Sequence, residues 1–189
     1  MIATQTLRHE HEAILKMLEA TEEVSRRLQA FQPVSPETLE GLQEFFREFA
    51  DHCHHGKEED LLFPFLEQKG IPRGGGPIGM MLYEHEQGRA LIREMGEAAA
   101  AYREGEDGSG PRWARAAGGY AHLLREHIAK ENNVLFVMAE RLLSPEEQDR
   151  LGKQFEAIEL EKMGAGTHER LHARMEELLG SIWQRVTAR

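Results

Sequence analysis

The chain reads as an all-α protein: an antiparallel up-down-up-down four-helix bundle with further helices packed on it. Three observations predict this. Apolar residues recur at spacings of three and four over long stretches, with no β-type alternation. Short Gly- and Pro-rich connections separate these stretches, which favours antiparallel neighbours. One segment also recurs 73 residues later, which implies a helical hairpin written twice and a pseudo-twofold bundle.

The first helix is expected from about Ala3 to Phe31, with Leu7, His11, Ile14, Leu15 and Leu18 on one face. It stops before Gln32-Pro33-Val34-Ser35-Pro36, where Ser35 is a natural N-cap and Pro36 suits the first helical position. The second helix runs from Pro36 to about Lys69, with a kink or break expected near Phe63 because Pro64 follows. After the loop from Gly70 to Gly76, Pro77 opens a third helix that ends near Arg103. Gly105 to Pro111 form the next loop, and the fourth helix spans about Arg112 to Leu143. Ser144 and Glu147 make a capping box for a helix to about Met163. Gly164-Ala165-Gly166 breaks it, and Thr167 caps a last helix ending near Val186. We read residues 1–189 as a single domain, with 1–143 as the bundle and 144–189 as an extension packed on it. The apolar Leu178, Leu179, Ile182 and Trp183 are expected to pack internally, and a monomer or homodimer suits this chain.

The length of 189 residues suits one domain with a sizeable core. A net charge of -10 argues against a nucleic-acid backbone or an anionic membrane surface as partner. No apolar run approaches the roughly 20 residues that span a bilayer. The N-terminus shows no signal-peptide pattern, and a lone Cys fits a reducing compartment, so cytoplasmic residence is expected. Ten His beside that one Cys point to imidazole and carboxylate as the ligands of any bound metal.

The repeat sorts the histidines. His54-His55-Gly56-Lys57-Glu58 overlays His127-Ile128-Ala129-Lys130-Glu131, and Leu and Phe match further on. The same overlay sets Glu10-His11-Glu12 near Glu84-His85-Glu86. Each half reads His, about forty residues, then His-x-x-x-Glu. Residues four apart share a helix face about one turn apart. His54 and Glu58 thus fall in the stripe Ala50, His54, Glu58, Leu61, Phe65. His127 and Glu131 fall in Tyr120, Leu124, His127, Glu131, Val134, Met138. His11 and His85 interrupt apolar stripes on the other two helices. Unpartnered burial would cost about 1–3 kcal/mol per polar group. Coordination removes that cost, and four His with two Glu suggest two metals, each with terminal His and sharing two Glu bridges. A single His-x-x-x-Glu is ordinarily a hydrogen-bonded pair; two copies in register, each preceded by an in-stripe His, favour metal. The ferritin-type Glu-x-x-His pattern fails, because Asp51 and Leu124 stand three before His54 and His127.

At these residues the sequence resembles the hemerythrin-like, or HHE cation-binding, family. The likeness covers roughly residues 5–143 and includes Gly76-Pro77 through His85. It implies a non-haem di-iron centre held by His11, His54, Glu58, His85, His127 and Glu131. Two ferric ions would retain excess positive charge, so an oxo or hydroxo bridge is expected. Oxygen-carrying members have a second His four after that on the third helix; here Arg89 stands there. Their last helix carries Asp five after its His; here that residue is Asn132. The two-Glu form is more similar to proteins that repair iron centres and to iron-sensing domains. His168 is taken as a further ligand from the last helix, where it pairs with His172. His55 lies about 100° round the helix from His54, away from the stripe, and is the other candidate. His9, His52 and His122 read as solvated, Glu59 and Asp60 as a charged outer face, and Cys53 as a small buried residue. Tyr83 and Tyr120 read as ordinary packing.

The expected function is binding or reduction of O2, peroxide or NO, in oxidative or nitrosative stress response, sensing or iron handling. A peroxide-dismutating redox enzyme and a metal-stabilised interaction module are the alternatives.

Overall fold

The computed structural model describes residues 2–164 and 166–187, apart from the side chains of 162, 163, 167–169 and 184–187. Every regular element among the described residues is helical. Helix α1 spans Ala3–Gln29. It closes on a turn in which Gln32 N–H donates to Arg27 O and Phe31 N–H to Leu28 O, with Phe31 at φ 54. Ser35 then caps α2, Pro36–Phe45, by accepting from Thr38 N–H.

The expected break at Phe63 is absent. The chain passes from α2 through a π-helical segment π1, Phe46–His55, and a second, π2, Glu58–Leu62, into α3, Phe63–Gln68. Phe63 keeps helical dihedrals, and its N–H reaches five residues back to Glu58 O. The wider turn places Pro64 at the start of the next α-helical segment, where its missing N–H costs little. After α4, Gly76–Arg103, and α5, Ser109–Lys130, the same device recurs. Segment π3, Glu131–Leu135, leads into α6, Phe136–Leu142, with Phe136 N–H on Glu131 O. No proline is present there.

Each π turn inserts one residue into the helical count, and the buried register shifts accordingly. Leu62 and Leu66 are buried instead of Leu61 and Phe65, and Leu135 and Ala139 instead of Val134 and Met138. Val134 is 49% exposed. The outer ends of both expected stripes are therefore off by one.

Cross-helix contacts place α1 beside α5 and α6: Arg8 meets Asn132 and Glu140, Glu22 meets Arg125, and Leu28 lies against Gly110. Glu40 meets Arg103 and Asp51 meets Arg89, which joins the second helical rod to α4. Glu84 meets His127 and Glu97 meets Arg112, which joins α4 to α5.

The apolar core is in two parts. Ile14, Phe46, Ile92 and Tyr120 belong to one; Leu7, Leu62, Met81 and Phe136 belong to the other. His11, His54, His85 and His127 lie between them in sequence on every helix. The capping box at Ser144 and Glu147 opens α7, Pro145–Met163, whose Leu151 and Phe155 join the second core. Helix α8, Thr167–Thr187, sets Met175, Leu178 and Ile182 into the first. Gly41 makes room for it, since a Cβ there would lie 2.8 Å from Leu178 Cδ2. Trp183 stays 42% exposed, so internal packing covers most of that face but not all of it. No described helix is long and apolar enough to cross a membrane.

Candidate metal centre

The layer between the two cores is polar and buried. His11 comes from α1, His54 and His55 from π1, Glu58 from π2, His85 from α4, His127 from α5 and Glu131 from π3. All seven are at most 3% exposed. They form two overlapping groups whose possible ligand atoms lie within 4.8 Å of one another. One is His11, His54, Glu58 and Glu131; the other is His55, Glu58, His85 and His127.

Each carboxylate spans imidazoles of both halves. Glu131 has Oε2 3.1 Å from His11 Nε2 and Oε1 3.2 Å from His127 Nε2. Glu58 has Oε1 3.8 Å from His54 Nε2 and Oε2 3.5 Å from His85 Nε2. These are close approaches without hydrogen-bond alignment. His11 Nε2, His54 Nε2 and all four oxygens of Glu58 and Glu131 are buried with no hydrogen-bond partner among the described residues.

The outward ring nitrogens behave in the opposite way. Nδ1–H of His54 donates to Glu10 at 2.7 Å, and that of His127 to Glu84 at 2.9 Å. His85 Nδ1–H donates to Glu59 at 2.6 Å, and His11 Nδ1–H to Asn132 Oδ1 at 3.0 Å. Holding the proton on Nδ1 leaves the Nε2 of His11 and His54 free and aimed inward, the arrangement that metal-binding histidines use, while His85 and His127 meet each other through Nε2 at 3.1 Å. Buried polar atoms left without partners cost about 1–3 kcal/mol each. A cation in their midst removes that cost, and the imidazole and carboxylate donors suit iron as well as other first-row metals. The residues present therefore fit a metal.

The hemerythrin HHE cation-binding domain profile matches residues 2–139. The chain belongs to that family.

Its relatives include the iron-sulfur cluster repair protein DnrN of Neisseria gonorrhoeae, 38% identical over 86 residues, 44% of this chain and 54% of that protein. The iron-sulfur cluster repair protein YtfE of Edwardsiella ictaluri is 36% identical over 95 residues, 46% of this chain and 40% of that protein. An uncharacterized protein of Mycobacterium tuberculosis is 26% identical over 162 residues, 86% of this chain and 63% of that protein. The matches thus span less than two thirds of these relatives. No solved structure matches.

Among the histidines of this family member, His55 departs from expectation. An α-helical rotation would carry it off the stripe, but π1 turns less per residue and swings it inward. Its ring stacks on His85, centroids 3.8 Å apart and 14° from parallel. Neither of its nitrogens has a hydrogen-bond partner among the described residues, although Asp51 Oδ1 lies 3.5 Å from Nδ1. The side chain of His168 lies outside the described residues. His172 packs edge-on against Phe49. His9, His52 and His122 are exposed, as expected.

Glu59 is not an outer-face charge. It orients His85, and Arg89 braces it at 2.7 Å while also holding Asp51 at 2.8 Å. The residue that replaces a second histidine on α4 thus supports the first. Asn132, in place of an Asp, orients His11. Sequence reading also missed Glu10 and Glu84, each one residue before a histidine in the matched repeat, and Lys57 and Lys130, which ion-pair with them. That duplicated Glu-His and His-x-x-Lys spacing was the available signal. A cavity of about 910 Å³ lined by Asp51, Gly56, Glu59 and Arg89 opens beside this side of the centre.

Burial, with Glu131 beside it, pushes the Glu58 carboxyl well above the usual range. Burial acts the same way on Glu131, but His127 and His11 outweigh it and hold that group well below. Burial pushes the Cys53 thiol up to about 12, which leaves it an inert buried side chain. Tyr120 is buried in the first core, and Tyr83 is exposed.

Proposed function

We propose that the chain holds two iron ions and binds or reduces O2, peroxide or NO, in oxidative or nitrosative stress response, sensing or iron handling. One observation carries the reading: inward imidazole nitrogens and unpartnered carboxylate oxygens converge while the outward Nδ1 atoms of His11, His54, His85 and His127 are anchored. His11 and His54 would hold one metal, His55, His85 and His127 the other, with Glu58 and Glu131 between them. Five imidazoles and two carboxylates are too many donors for one tetrahedral zinc. A bound iron pair supplies electrons to a small oxidant. The residues around it exclude water and fix the orientation of the imidazoles. Relatives named for iron-sulfur cluster repair support a role in iron handling.

The antiparallel four-helix topology is part of the proposal. Opposite numbering of the α1–α5 and α4–α5 contacts supports it, and the duplicated Glu-His-Lys trios support the pseudo-twofold. The shared cores support one domain over 1–189, and the lone buried thiol suits a cytoplasmic location.

The test is anaerobic loading with ferrous iron followed by air. Two irons per chain and a ligand-to-metal absorption band are expected. Glu58→Ala and Glu131→Ala should each lose iron. A colourless protein carrying one zinc per chain would overturn the reading.

A further inference from the structure

We infer that Glu159, on α7 beyond the stretch that defines the family, is a positioning residue for His54 with no counterpart in the half that holds His127. The inference rests on the two-iron reading. In both halves a glutamate stands between an imidazole and a lysine: Glu10 between His54 and Lys57, and Glu84 between His127 and Lys130. The halves then diverge. Lys130 is 40% exposed, so water solvates its ammonium. Lys57 is 1% exposed, because α7 lies over it.

A buried ammonium needs more than one carboxylate oxygen around it. Helix α7 supplies the second carboxylate: Glu159 Oε2 lies 2.8 Å from Lys57 Nζ. Glu10 can then divide its two oxygens, one to Lys57 and one to His54. Without Glu159, Glu10 would be drawn to neutralise Lys57 alone, and the bond that aims His54 would weaken. Glu10, Cys53 and Glu159 would resemble a cation site by themselves, but Lys57 already provides the cation there. Helix α7 is pinned for this task. Leu151 and Phe155 are buried in the second core, and Gln148 Oε1 accepts from Thr4 N–H at 3.4 Å. His54 is therefore held by a network whose lysine is enclosed by protein, and His127 by one whose lysine meets solvent.

The experiment measures iron release to a chelator and the Mössbauer spectrum of the loaded full chain, with circular dichroism as the check of fold. Wild type should carry two irons with two distinguishable spectral components. In Glu159→Gln one component should shift, and one of the two irons should leave about 10-fold faster, the other unchanged; loss of such a supporting partner typically costs 10–100-fold. Glu159→Asp should keep release near the wild-type rate. Glu159 acts only through Lys57, so the Lys57→Met, Glu159→Gln double variant should release iron no faster than Lys57→Met alone. That pair carries the test even if Glu159→Gln fails to fold. Equal acceleration of both irons, no change, or additive effects in the double variant would overturn the inference. A wild-type chain that binds fewer than two irons would overturn the two-iron reading and this inference with it.

Discussion

At the scale of the residue, the centre is made by side chains that hold other side chains. Glu10, Glu59, Glu84 and Asn132 each take the Nδ1–H of one imidazole, so the inward lone pairs are aimed before any ligand arrives. Glu10 carries the clearest consequence. Burial raises its pKa, but His54 and Lys57 outweigh that and hold it at about 2, against an ordinary 4.5. A folded value below the unfolded one adds stability above pH 4.5 that is lost as the pH falls from 4.5 towards 2. In metal-free protein, the melting temperature of wild type should fall more steeply across that window than that of Glu10→Gln. Parallel slopes would show that the ion-paired network contributes nothing. The candidate histidines and the two buried glutamates between them were legible from spacing alone. Their anchors were not, because a charged residue beside a histidine looks like an outer-face charge until a facing helix is known.

At the scale of the element, the π turns at Glu58 and Glu131 govern both the site and the register beyond it. Each begins at a carboxylate that lies between imidazoles of the two halves, and π turns occur often at functional sites. Proline is not their cause, since Val137 stands where the first half has Pro64. Pro64→Ala should therefore leave iron content at two per chain in the proposed holoprotein. It should lower stability by only about 0.4–1 kcal/mol, through the entropy of the unfolded chain. Loss of iron in this variant would show that the proline sets the turn. A count of 3.6 residues per turn predicted both stripes as far as Glu58 and Glu131. It then named Leu61, Phe65, Val134 and Met138 where Leu62, Leu66, Leu135 and Ala139 are buried. An extra residue in one turn leaves no mark in composition; it shows only as a phase slip in burial. The same effect hid His55.

At the scale of the molecule, the polar layer divides the core, and α7 and α8 each complete one part. If bundle and extension are one cooperative unit, Phe155→Ala should lower the whole chain's melting temperature in a single transition. The cost should be about 3–5 kcal/mol, because Phe155 is 1% exposed against the second core. Two separate transitions, with the bundle's unchanged, would show that the extension folds apart. The capping signals of α2 and α7, the loops and the all-helical class were all readable, because each depends on a few neighbouring residues. So was the repeat, and with it the set of His11, His54, Glu58, His85, His127 and Glu131 as candidates. Local pattern alone thus determined which residue types could meet in the core and on which helices they sit. Tertiary structure alone decided how His11, His54, His85 and His127 are anchored, that His55 turns inward, and that Glu159 reaches the lysine of one half but not that of the other. Those depend on the phase of a turn and on a helix more than a hundred residues away, and neither is encoded in the spacing of neighbours.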